Sequence, residues 1–232
     1  IKKEFDINWI ADFRDPWFML SSNTKFHFLS QTKSKHLKLR NVVLQNANKV
    51  IVTSEKLKNY YNKFTSNIVK ITNGYDRTDF KYDLDKNFTI THVGSLYPDR
   101  NPEILWEVLE TMCVNTKGFE NHFRLQLIGN IDKKIKKRLN ISKFSKCVSY
   151  KGYIPEKDTH SYIFSSQLLL MVESVDKLMS YVIPGKFFNY LFSKRPIIVI
   201  GPPDSEIEQI MNELKCGNYF EQDKKELLYN YL

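Results

Sequence analysis

Residues 183–201 read IPGKFFNYLFSKRPIIVIG, a turn, a short helix and a buried strand, with Lys186 in the helix's first turn. A helix amino end carries partial positive charge and disfavours a cation, so Lys186 fits there if a bound anion shares that end. Pro184 and Gly185 form the turn. Lys186, Asn189 and Tyr190 fall at i, i+3 and i+4 on one face, apart from the apolar face of Phe187, Phe188, Leu191 and Phe192. A surface lysine reaching into water is the alternative for this stretch alone.

A second loop, GSLYPDRNPEIL at 94–105, has the same make-up. Gly94 and Ser95 end a strand and permit close approach of a ligand to the backbone. Asn101 is expected as N-cap, with Pro102 at the first helical position and Glu103 in the first turn. Arg100 stands just before that cap, and helix amides plus an arginine suit a phosphate. The competing account pairs Arg100 with Asp99. Two loops that each open a helix and each bring one cation match a diphosphate. Neither GxGxxG nor GxxxxGK[ST] occurs, which argues against a dinucleotide oxidoreductase and a P-loop NTPase.

A third place is NWIADFRDPWF, 8–18, where Asp12, Arg14, Asp15 and Trp17 crowd the end of a strand. A cleft-facing loop and a bracing salt bridge from Arg14 both account for it. The DxD triplet Asp83–Leu84–Asp85 precedes a strand, whereas a metal-binding triplet would follow one, so no metal is expected there. The three cysteines and five histidines are scattered, without CxxC or HExxH spacing, which argues against a zinc site or a disulfide framework and for a reducing compartment.

These loops need strands and helices to hold them. Apolar runs at 7–11, 50–53, 68–72, 88–93, 125–128, 147–150, 168–172 and 197–200 are the strand candidates. Helical stripes lie between them, one at Ile104, Leu105, Val108, Leu109 and Met112, another at Leu39, Val43 and Ala47. The alternation predicts an α/β protein with parallel sheets covered by helices. The polar stretch 76–87 reads as a linker and divides the chain into residues 1–80 and 81–232. The first part, with only three strand candidates, is expected to be the end of an N-terminal Rossmann-like domain whose start is missing. The second is a nearly complete C-terminal one.

The net charge of +9 suits nucleic acid, an anionic membrane or phosphorylated substrates. The aromatics follow core spacing and not an RNA-stacking pattern, so no nucleic-acid partner is expected. KKIKK at 133–137 reads as an exposed helix face. No apolar run is long enough to span a bilayer.

Taken in order, WIADFRDPW, VIVTSEKLKNYY, ITNGYDRTDF, THVGSLYPDRNP, LQLIGN, YKGYIP and IPGKFFNYL-x-x-x-RPIIVIG resemble a retaining glycosyltransferase of the GT4 type, over almost the whole chain. The resemblance implies a GT-B architecture and transfer of a sugar from a nucleotide-diphosphate donor to a glycan or lipid-linked acceptor, in cell-surface polysaccharide synthesis. It implies a cytoplasmic enzyme with no cofactor or metal, and the basic charge adds an expected peripheral contact with an anionic membrane. Arg100 and Lys186 would stabilise the leaving diphosphate. Gly94, Ser95, Pro184, Gly185 and Asn189 would line the donor site, and Gly152, Tyr153 and Ile154 would hold the base. Asp15 and Trp17 would lie on the acceptor side. Asn189 departs from the pattern, because relatives commonly carry glutamate there to bind the ribose; the family's paired-glutamate motif also lacks its first acid, at Tyr181. The alternatives are a sugar-nucleotide epimerase of the same fold and a binding module without turnover.

Overall fold

The computed structural model describes residues 2–17, 30–75 and 82–232. Half of the proposed linker, 76–81, lies outside the described residues. The chain forms two compact units, Ile1–Gly74 with Asp176–Pro184, and Tyr75–Val175 with Gly185–Leu232. The first boundary thus falls a few residues before that expected. The return of Asp176–Pro184 to the first unit has no signal in composition.

The first unit holds a parallel sheet of β1 (Ile10–Asp12), β2 (Lys49–Val52) and β3 (Ile68–Lys70), in that order. Its helices are α1 (Lys2–Phe5), α2 (Ser30–Asn46) and α3 (Glu55–Tyr61). Ser54 caps α3, its Oγ accepting from the Leu57 amide. The expected stripe on α2 is shifted by one residue. Leu39 is exposed, while Arg40 and Leu44 are buried on the helix and Ala47 just beyond it. Arg40 is tolerated inside because its guanidinium lies 4.6 Å from the Phe64 ring centroid and donates to Tyr60 Oη at 3.3 Å.

The second unit is a parallel sheet of β4 (Phe88–Val93), β5 (Phe123–Ile128), β6 (Val148–Gly152), β7 (Leu168–Val172), β8 (Ile197–Ile200) and β9 (Gly217–Phe220). Their order is β6-β5-β4-β7-β8-β9. The direction of winding therefore reverses between β4 and β7, the switch point beyond which open α/β sheets bind ligands. β7 (LLLMV) and β8 (IIVI) are buried at every position, as strands covered on both faces must be. The surrounding helices are α4 (Glu103–Asn115), α5 (Phe119–His122), α6 (Lys133–Asn140), α7 (Glu156–Ser165), α8 (Gly185–Ser193), α9 (Glu206–Leu214) and α10 (Lys225–Tyr231). Trp106, Leu105, Phe123, Phe144 and Ile198 centre one core. No described helix is long and apolar enough to cross a membrane.

Candidate nucleotide-binding site

The switch point places three strand ends side by side. β4, β5 and β6 run in parallel register into Gly94, Gly129 and Gly152. Gly129 has φ +120°, and a Cβ there would run into the Gly94 carbonyl. The two loops touch backbone to backbone, which leaves room above them. The Gly129 amide donates to the Gly152 carbonyl at 2.7 Å, tying the third loop to the second. The result is a cleft of about 760 Å³ whose lining includes Gly94, Ser95, Gly152, Tyr153, Ile154, Gly185, Lys186 and Asn189. These are eight of the ten residues assigned from sequence to donor binding and catalysis, besides Arg100 and Pro184.

Lys186 lies in the first turn of α8, as expected, but its side chain does not turn into water. The residue is half-buried, and its ammonium lies deep, donating to the Val93 carbonyl at the end of β4 at 3.0 Å. A Cβ added to Gly94 would stand 3.1 Å from Lys186 Nζ and 3.7 Å from His92 Nε2. Loss of water lowers the Lys186 ammonium from its ordinary range to about 7, and the positive charge of Arg100 pushes the same way. Among the described residues, neither Lys186 nor Arg100 has a carboxylate within salt-bridge distance. Arg100 Nε is buried with no hydrogen-bond partner. Asp99, the alternative partner for Arg100, is engaged elsewhere and accepts from Ser174 Oγ at 3.0 Å. Two cations that repel each other, held without counter-charge, make an anion site in waiting.

His92 sits below this pair. It is fully buried, its Nδ1 is 3.0 Å from the Leu170 carbonyl, and its Nε2 has no partner. Burial first, then the charge of Lys186, holds His92 neutral, well below the usual imidazole range. With Nδ1–H donating to Leu170, Nε2 keeps its lone pair. Tyr190 fixes the wall, its hydroxyl accepting from the Val93 amide at 2.8 Å and donating to the Leu170 carbonyl at 3.3 Å. Asn189 Nδ2 donates to Glu156 Oε1 at 3.1 Å across the mouth.

One expectation, the cap of α4, needs correction. Asn101 does not cap α4. The helix starts at Glu103 after Pro102, and the Asn101 amide instead donates to Glu103 and accepts from Trp106 Nε1 at 2.8 Å. Glu103 is itself held by Arg138 at 2.6 Å, so that helix end already has its anion. Arg100 is not among the lining residues, and it acts on the cleft through its charge at Lys186. Pro184 closes the segment that groups with the first unit. Asp15 and Trp17 also lie in the first unit: Asp15 is exposed, and Trp17 packs on Phe13 with ring centroids 6.0 Å apart. Arg14 braces their loop by an ion pair with Asp12 at 2.8 Å. The DxD triplet stays ahead of β4, with the Asp85 amide donating to the Ser165 carbonyl. Among the described residues no cluster of His, Cys, Asp or Glu suits a metal ion. Gly129, Asn130, Lys136, Glu156 and Thr159 line the cleft without having been singled out as site residues.

No protein-family profile matches the chain, and no curated protein matches it. Solved structures do. HepE of Anabaena, crystallised in complex with UDP, superposes with TM-score 0.71 at 14% identity, over 99% of this chain and 62% of its own. WaaG, a glycosyltransferase involved in lipopolysaccharide biosynthesis, gives 0.66 at 10%, over 99% and 69%. TarM of S. aureus, as a point mutant in complex with fondaparinux, α-GlcNAc-glycerol and UDP, gives 0.61 at 19%, over 85% and 38%. At such identities the likeness establishes the fold, α/β with parallel sheets of the GT-B type, and this chain spans only part of each of those proteins.

Proposed function

We propose that the chain is the donor-binding part of a retaining glycosyltransferase that moves a sugar from a nucleotide diphosphate to a glycan or lipid-linked acceptor. The observation that carries the reading is the uncompensated ammonium of Lys186 in the switch-point cleft, with the charge of Arg100, outside the lining, acting on it. As the sugar–phosphate bond breaks, negative charge builds on the departing diphosphate. Cations fixed in place beforehand stabilise that charge without reorganisation. Gly94 and Ser95 let the phosphates approach the backbone, the amino end of α8 adds its dipole, and Gly152, Tyr153 and Ile154 receive the base. That fold neighbours were crystallised with UDP supports a nucleotide as the ligand. Glu156 is the one acid lining the described cleft, which leaves a sugar epimerase without a set of acids and bases around the ring.

Titration calorimetry with UDP, GDP and CDP tests the reading, and heat from one of them is expected. Silence with all three sinks it. Binding without transfer by the full-length protein would favour a module without turnover. Retention is checked by the anomeric NMR signal of the product, and activity should survive chelation of divalent metals.

The same proposal includes a cytoplasmic enzyme lying against an anionic membrane. α6 supports it: Lys133, Lys134, Lys136 and Lys137 are exposed around buried Ile135 and Leu139, and Ile141, just past the helix, is 76% exposed. Co-sedimentation with vesicles containing phosphatidylglycerol should be lost when the four lysines are changed to glutamate.

A further inference from the structure

The resemblance leads one to look for an acid at residue 189, where this chain has asparagine, and a carboxylate from another helix, Glu156, meets that asparagine at the cleft. Glu156 opens α7 and Asn189 lies one turn along α8 from Lys186. The two side chains meet through the Asn189 Nδ2 to Glu156 Oε1 bond of 3.1 Å. That bond spends a donor of the carboxamide. What remains is Glu156 Oε2, which accepts from no other group among the described residues, and on Asn189 the acceptor Oδ1 and the second N–H of Nδ2. The carboxylate is acceptor-only, so it repels phosphate and binds hydroxyls, more strongly than a neutral acceptor does, and the carboxamide beside it can accept from or donate to the same hydroxyls.

The neighbours of this corner say which hydroxyls. Lys186, the phosphate-facing cation, is one helical turn away along α8, about 5 Å. On the other side Tyr153, 87% exposed, and Ile154 precede Glu156 by three and two residues and line the same cleft. A cation, then a carboxylate with a carboxamide, then an aromatic and an apolar surface follow the order phosphate, ribose, base. We infer that Glu156, oriented by Asn189, is the residue that selects the ribose diol of the nucleotide, an inference that rests on the donor-site reading above.

The test uses the tightest binder among UDP, GDP and CDP, its 2′-deoxy counterpart and inorganic pyrophosphate, each titrated into wild type, Glu156→Gln, Glu156→Ala and Asn189→Ala. Wild type should prefer the ribonucleotide by about tenfold or more, the scale of a hydrogen bond to a charged group. Glu156→Ala should bring the two nucleotides to within about twofold, and Glu156→Gln should fall between, because it keeps a neutral acceptor. Asn189→Ala should weaken the preference by loosening Glu156. Pyrophosphate should bind alike to all four proteins. Glu156 is exposed, so folding is not at stake, and unchanged melting curves check this. An undiminished preference in Glu156→Ala, or none in wild type, overturns the role of Glu156 and leaves the donor site standing. Failure of every nucleotide to bind wild type overturns both.

Discussion

Lys186 makes nucleotide binding depend on pH in a direction that can be worked out. Burial, and secondly the charge of Arg100, lower its ammonium to about 7 in the free protein. At pH 8 roughly one-tenth of the molecules then carry the charge, and a diphosphate that restores the ordinary lysine range must draw in about 0.9 proton per nucleotide. Affinity should fall about tenfold for each pH unit above 7. Calorimetry at pH 8 in HEPES and in Tris gives the proton count from the difference in heat, and at that pH a phosphate group has already lost its last proton. Lys186→Met should abolish the uptake and bind more weakly by about 1–3 kcal/mol. Arg100→Ala removes the second cation, so the ammonium rises and the onset of the decline moves to higher pH even as binding weakens. Stability runs the other way. The unfolded chain holds the Lys186 proton up to its ordinary value of 10.5 and the folded one releases it near 7. The unfolded state binds more protons within that window, so Lys186 makes the fold more stable as pH rises through it. Uptake near zero in wild type at pH 8, or equal uptake in Lys186→Met, would refute the reasoning.

Three further outcomes follow from neighbouring groups. Gly129→Ala puts a Cβ at φ +120° into the Gly94 carbonyl, so it should cost about 2 kcal/mol or more and abolish nucleotide binding; a melting curve and a titration matching wild type would count against the loop contact. Tyr190→Phe leaves the buried Val93 amide without its acceptor and should lower stability to urea by about 1–3 kcal/mol, while an unchanged midpoint would deny the bridge. His92 is neutral when folded and takes up a proton when unfolded below about pH 6.5, so stability should drop as pH falls through that value, up to about tenfold in the folding constant per unit. In His92→Gln that part of the slope should vanish from thermal melts between pH 7 and 5; an equal slope would show that other groups carry it.

How far the sequence speaks depends on whether the deciding partner is local. β7 and β8 have the expected bounds because strands covered on both faces are written as continuous apolar runs, and β4, FTITHV, keeps its expected bounds with Thr89, Thr91 and His92 buried in it. β9, GNYF, pairs only with β8 and has too little apolar content to stand out from a loop. On α2 the buried face includes a charged residue, Arg40, whose partners Tyr60 and Phe64 are twenty or more positions away. The same division runs through the site. Lys186 and Gly94 could be picked out because strand ends and helix starts carry their own local signals, whereas Gly152 comes only from the family resemblance. Glu156 and Gly129 could not, because their meaning comes from Asn189 and Gly94, which the order β6-β5-β4-β7 brings to them.

The segment Asp176–Pro184 has a consequence for how the chain is made. It belongs with the first unit, where Ser54 Oγ donates to the Tyr181 carbonyl at 2.6 Å and Tyr181 packs on the core of Phe13, Leu57 and Tyr61. During synthesis from the amino end, residues 2–75 therefore emerge without a piece that their core will need. That piece leaves the ribosome only after β4 to β7 have appeared, and just ahead of Lys186. The earlier unit cannot finish folding before most of the later sheet exists, so a fragment ending near Gly74 should be less stable than its length suggests.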